Sequence, residues 1–156
     1  MEKLKNLIKE ANSNYKTADH LVYVTYSLLK DQKLMLAVIQ NLYSASLNAM
    51  AALLYYEKLY KRIDALPLDI DSRLVVFETQ VIHSYELNQE IVKVIKELKT
   101  IIKQHKDSPL EFARKERLII CNDNYSKLKV IDINKLKYYA GNIKLLLEAV
   151  NKLENV

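Results

Sequence analysis

The sequence predicts an all-α fold, an antiparallel four-helix bundle of long helices with a short helix and an irregular segment before the last one. Three observations predict it. Apolar residues return at alternating steps of three and four over long runs, the spacing that keeps one stripe on one helix face. One Gly and two Pro in 156 residues leave too few turn formers for a sandwich of many short strands. A composition 50% hydrophobic and 28% charged fills one core and solvates one surface, so the whole chain, 1–156, reads as a single helical-bundle domain.

The first helix is expected over about residues 2–30, with a stripe of Leu4, Ile8, Ala11, Tyr15, Ala18, Val22, Thr25 and Leu29 and a polar face of Lys5, Asn6, Lys9, Ser13 and Lys16. The chain turns near Asp31 and Gln32. The second helix is expected over about 33–63. Ser44, Ala45, Asn48, Ala49 and Ala52 let neighbouring backbones approach its middle, and apolar side chains on several faces imply more than one partner helix, or a second subunit. Leu34 to Tyr56 carries no charge and, at about 1.5 Å per residue, is long enough to cross a bilayer. Gln40, Asn41, Ser44, Ser46 and Asn48 make it read instead as the buried central helix of a bundle. Pro67 disfavours helical geometry before it and ends the segment.

A third helix is expected over about 71–105, striped by Leu74, Phe77, Val81, Ser84, Asn88, Ile91, Ile95, Leu98 and Ile102. Its polar centre reads as a layer that sets register in a long seam. Ser108, Pro109 and Glu111 supply a cap hydroxyl, a first-turn proline and a returning carboxylate, which predict a short helix over about 109–117. From Leu118 to Ile131 a hairpin, an extended loop and more helix are all open; the turn-forming Asn122-Asp123-Asn124 and β-branched flanks favour irregular or extended structure. Asp132 caps a last helix over about 133–154, striped by Leu136, Ala140, Ile143, Leu147 and Val150. Gly141 sits inside it at a cost of about 1 kcal/mol against Ala, so close packing against a neighbour is expected there.

Chemical signals are sparse. The net charge of +5 is spread along the chain and permits weak attraction to anionic partners without forming a basic tail. A single cysteine excludes an intrachain disulfide and a cysteine-based zinc cluster. Beside Ile119 and Ile120, Cys121 reads as a buried thiol rather than a nucleophile. No Gly-x-Ser-x-Gly, P-loop, His-Glu-x-x-His or dinucleotide fingerprint occurs. His83 and Glu86 stand one helical turn apart and supply one side of a metal site, although a solvated polar face accounts for them more simply. The Glu-x-x-His pairs of a di-iron bundle are missing. His105 suits the terminal carbonyls of its helix.

Eleven tyrosines stand beside no tryptophan. Tyrosine packs its ring and keeps its hydroxyl wet, so Tyr43, Tyr55, Tyr56 and Tyr60 are candidates for a subunit interface. Such rings also stack on unpaired bases, or simply pack the rim of a bundle. Arg114, Lys115 and Arg117 are the densest basic cluster and the candidate contact to nucleic-acid phosphate, offset by Glu111 and Glu116.

Ala11, Ala18 and Asp19, with the Ala37–Leu54 stretch that carries Ala45, Ala49, Ala52, Leu53 and Leu54, resemble the first two helices of the HEPN family of small all-helical bundles. HEPN ribonucleases separate an Arg from a His by four to six residues, whereas nine lie between Arg73 and His83 here, so the resemblance implies a non-catalytic member. Such a member pairs with a nucleotidyltransferase or binds RNA or protein. The segment from His105 to Cys121 also resembles that of small uncharacterised archaeal helical proteins, which implies no activity.

The expectation is therefore a helical-bundle interaction protein that forms a homodimer, needs no cofactor, engages no membrane and leans away from catalysis. The charged start MEKLKNLIKE is no signal peptide and places it in the cytoplasm. The alternative is a HEPN-like RNA-binding or RNA-processing module. A third reading puts metal or redox chemistry at His83, Glu86 and Cys121.

Overall fold

The computed structural model describes residues 1–31, 33–107, 110–114, 117–121 and 128–155. Helix α1 (Glu2–His20) passes through a π-helical turn, Leu21–Thr25, into α2 (Tyr26–Leu29). Then come α3 (Lys33–Leu59), α4 (Ile70–Val76), a second π-helical turn, Phe77–Val81, and a 3-10 turn, Ile82–Tyr85. Helix α5 (Glu90–Asp107), strands β1 (Leu110–Arg114), β2 (Arg117–Cys121) and β3 (Leu128–Ile131), and helix α6 (Ile133–Asn151) complete the order. The protein is mostly helical, as its periodicity predicts.

Helix α3 occupies the middle, in contact with α1, α4, α5 and α6. Its Ala45, Ala49 and Ala52 are fully enclosed, which is where the small residues were expected to admit neighbouring backbones. The Nζ of Lys3 lies over the Tyr55 ring and Asn48 donates to Asn14 Oδ1 at 3.1 Å, so α1 and α3 run antiparallel. Lys137 over Tyr23 and Asn151 against Asn12 set α6 antiparallel to α1 as well. Ion pairs from Lys96 to Glu78 and from Lys99 to Asp71 lay α5 antiparallel along the α4 arm. Among the described residues, no helix is long and apolar enough to cross a membrane.

The structure departs from the expected elements at four places. The first stripe holds through Leu4, Ile8, Ala11, Ala18 and Val22, but then Tyr26 is buried, Thr25 only half-buried, and Leu29 exposed. A π-helical turn accommodates one extra residue, so the turn at Leu21–Thr25 rotates everything after it by about one position. The third helix is not continuous. It ends at Tyr85, Glu86 adopts a left-handed conformation at φ 53°, and α5 starts at Glu90 with the Asn88 side chain accepting the Glu90 amide at 2.9 Å. The expected polar layer is thus a corner: Ser84 and Asn88 face water because the axis changes direction there.

The short helix expected over 109–117 is replaced by strand. Residues 110–114 pair antiparallel with 117–121 in the register Leu110↔Cys121 to Arg114↔Arg117, and β3 pairs on the other side, Leu118↔Ile131 to Cys121↔Leu128. A helix of two turns is marginal alone, whereas a β-branched partner strand satisfies the same backbone groups. Leu118, Ile120 and Ile131 are buried while Arg117 and Val130 are exposed, so β2 alternates and lays one face toward α5. The described parts of 118–131 are extended, as favoured. Ser108, Pro109, Lys115, Glu116 and the Asn122–Asn124 turn signal lie outside the described residues.

Gly141 also departs from expectation. It is exposed, and a β-carbon built there would meet nothing within 4 Å. No close approach requires it.

Candidate interaction surface

The tyrosines expected at an interface divide sharply. Tyr43 and Tyr55 are half-buried against the core and Tyr56 is buried, so these three rings fill the bundle's own seams. Tyr60 is 52% exposed. Its ring lies 4.7 Å from that of Tyr56, and the Arg62 guanidinium sits 5.4 Å above it.

Beneath Tyr60 lies a carboxylate that sequence periodicity gave no reason to single out. Glu57, on the last full turn of α3, is 2% exposed. One of its oxygens accepts from Arg62 Nη1 at 3.0 Å and from the Tyr85 hydroxyl at 2.5 Å. The backbone brings Arg62 there. The amide of Arg62 donates to the Glu57 carbonyl and that of Lys61 to the Lys58 carbonyl, a Schellman closure with Lys61 left-handed at φ 58°. Burial and the adjacent Glu57 push the Tyr85 phenol well above its ordinary range. The hydrogen bond to Glu57 likewise raises Arg62. Buried charge is tolerated only when paired, and Glu57 is paired twice. A glutamate and an arginine five apart, Glu57 and Arg62, are the hint of this cluster in the sequence.

Beside single exposed apolar side chains at Met1, Val75, Val130, Tyr138 and Leu145, two groups lie close together in the sequence. Leu59, Tyr60 and Leu68 come from the end of α3 and its connection to α4, and Leu68 is 94% exposed. Ile63 is buried midway and Arg73 Nε donates to the Pro67 carbonyl at 2.7 Å, which hold that connection to the body. Exposed Lys58, Lys61 and Asp64 put both signs of charge around it. The second group lies at the far end of α1 and α2, where Tyr23, Val24, Leu28 and Leu29 are exposed. An open groove runs along the flank of α1 beside Tyr23 and Val24, lined also by Lys16, Asp19 and His20.

The remaining sequence candidates are scattered. His83 and Glu86 are both exposed, and the left-handed turn at Glu86 takes its side chain off the helical face assumed for it. Among the described residues, no group of three or more His, Cys, Asp or Glu is placed to hold a metal ion. Arg114 and Arg117 are register partners at one end of the β1–β2 ladder, and Arg117 is exposed; Lys115 lies outside the described residues. The Cys121 side chain also lies outside them.

No family model, no curated protein and no solved structure matches this chain.

Proposed function

We propose that the protein is a helical-bundle interaction protein that acts by contact and associates with a second copy of itself. The observation that carries this reading is the exposure of Leu59, Tyr60 and Leu68 at the end of α3 and along its connection to α4, which buried Ile63 and the Arg73–Pro67 hydrogen bond hold to the body. Anchored apolar side chains in water mark a contact surface more often than scattered single ones do. Sedimentation velocity at micromolar concentration tests it. The wild type is expected to run as a dimer and a Leu59→Lys, Leu68→Lys double variant as a monomer. A wild type that stays monomeric overturns the reading.

A second reading, the HEPN-like RNA-binding module, draws on the register that sets Arg114 opposite Arg117 at the end of a hairpin. Arginines at facing register positions suit a phosphate, and binding of this kind weakens steeply with salt. Filter binding to mixed RNA at rising salt tests it: affinity that falls with salt and drops in Arg114→Ala, Arg117→Ala supports it, and no salt-dependent signal disposes of it.

A further inference from the structure

We infer that the outward face of α6 is a second contact between copies of this chain, in which two α6 helices pack antiparallel across a two-fold axis beside Gly141. It is separate from the contact at Leu59 and Leu68 and adds to it. Asn134, Tyr138, Gly141, Leu145, Glu148 and the capping residue Lys152 are all exposed. They follow one another at steps of four and three along one helix, so they share one face of it. Tyr138 is 44% and Leu145 47% exposed. Between them stands the chain's single glycine, with open space where a β-carbon would go. A glycine inside a helix is destabilising relative to alanine, and nothing within the chain uses the space it leaves.

The order of these residues selects the occupant. Their spacing, four-three-four-three-four, reads the same from either end. An antiparallel copy centred between Gly141 and Leu145 therefore sets Leu145 against the copy's Gly141, Tyr138 against its Glu148 and Asn134 against its Lys152, each twice. The glycine leaves a hole that a leucine fills, the large-to-small fit of interdigitated helices. Tyr138 gives its hydroxyl to Glu90 of α5, so its ring lies along the methylenes of the facing Glu148. That carboxylate meets a lysine instead. Lys137 and Glu148 both lean toward α1, the first over the Tyr23 ring and the second near Tyr15, and the two-fold axis brings these flanks together. Lys144 meets its own equivalent near the axis, offset by Glu148 one turn on in each chain. Asp19 of α1 and Glu90 of α5 border the face, and Lys135 and Glu154 lie toward its ends. Both signs of charge are thus present throughout, which suits a partner carrying the same charges in reversed order. One face of one helix covers less than the roughly 1,200 Å² of a stable interface, so this contact joins copies only where they are concentrated.

Sedimentation equilibrium from micromolar to millimolar concentration tests this in the Leu59→Lys, Leu68→Lys variant, where the other contact is removed. That variant is expected to be a monomer at low concentration and to pair as millimolar is approached. Leu145→Lys and, separately, Gly141→Gln should each weaken the pairing about tenfold, the effect of losing one central packing position. Gly141→Gln fits open space within the chain, so its thermal unfolding should not fall below that of its parent. Loss of pairing by a chain at least as stable cannot come from misfolding. Lys137→Glu and Glu148→Lys alone should each weaken the pairing, and the two together should restore it. No pairing near millimolar, pairing that survives Leu145→Lys or Gly141→Gln, or a charge swap that fails to rescue overturns the proposal. Failure of the Leu59–Leu68 contact shows separately, as a wild type that is monomeric at micromolar concentration.

Discussion

Glu57 and Tyr85 share a 2.5 Å hydrogen bond that fastens the last turn of α3 to the 3-10 turn closing the α4 arm. Tyr85→Phe leaves the buried carboxylate with Arg62 alone and is expected to cost about 1–3 kcal/mol in urea unfolding. Arg62→Ala should cost more than the exposure of the arginine suggests, because it leaves the enclosed Glu57 charge without its counter-ion. In a double-mutant cycle, Tyr85→Phe with Glu57→Gln should show a coupling of about 0.5–3 kcal/mol. Additive effects would mean that the bond contributes nothing in solution.

Alkaline pH should loosen the bundle. Tyr139 of α6 is fully enclosed and its hydroxyl faces Glu97 of α5; burial, then that carboxylate, pushes its phenol above the ordinary value of 10.0. The unfolded chain then releases this proton first, so the folded state holds one proton more than the unfolded one above pH 10. Stability is full below that point and declines above it, by at most about 1.4 kcal/mol per pH unit for one such group. Tyr85 is raised in the same direction and adds to the decline. Thermal unfolding followed from pH 8 upward should show a shallower alkaline fall in Tyr139→Phe than in the wild type.

The only glycine and the left-handed residues are placed the wrong way round for stability. Gly141→Ala fills open space in an exposed helix interior and should raise stability by about 1 kcal/mol. Lys61→Gly relieves a side chain from φ 58° and should stabilise by up to about 1 kcal/mol, once the added flexibility of the unfolded chain is subtracted. Chemical denaturation of the two single variants and of the pair should give additive gains, since the sites share no partner.

Asn12 and Asn151 exchange two amide hydrogen bonds, at 2.7 and 3.2 Å, across the contact of α1 with the end of α6. Either asparagine replaced by Ala should cost about 1 kcal/mol, and the double variant should cost little more than one alone. Faster amide exchange confined to the last turns of α6 in these variants would show what the pair holds in place.

Most of the architecture was legible because helical periodicity is written in the residues that α3, α5 and α6 bury. Leu136, Ala140, Ile143, Leu147 and Val150 are buried as their spacing required, and so are Ile91, Ile95 and Leu98. What escaped was set by other physics. Nothing local distinguishes Leu21–Thr25 or Phe77–Val81 as π-helical, since the extra residue is stabilised by packing and not by a signature side chain. The corner at Glu86 has neither Gly nor Pro to announce it. At Leu110–Arg114 a real capping pattern lost to strand pairing, a case of tertiary context outweighing local preference. The surface was less legible than the core. Tyr56 and Tyr60 look alike in the sequence, yet one is buried and the other exposed, because α3 stops at Leu59 and only the first remains on its packed face. Glu57 is invisible to periodicity for the opposite reason: its burial depends on Arg62 and Tyr85, which arrive from other elements.

Lys30, Lys61 and Glu86 each mark a point where a rigid rod is bent back by a residue ill suited to bending. The molecule therefore resembles stiff struts joined by sprung hinges, each hinge held shut by its neighbours and opposed by its own backbone. Warming should open those joints while the struts stay whole, and proteases should nick the Tyr60–Leu68 span long before they reach the middle of α3.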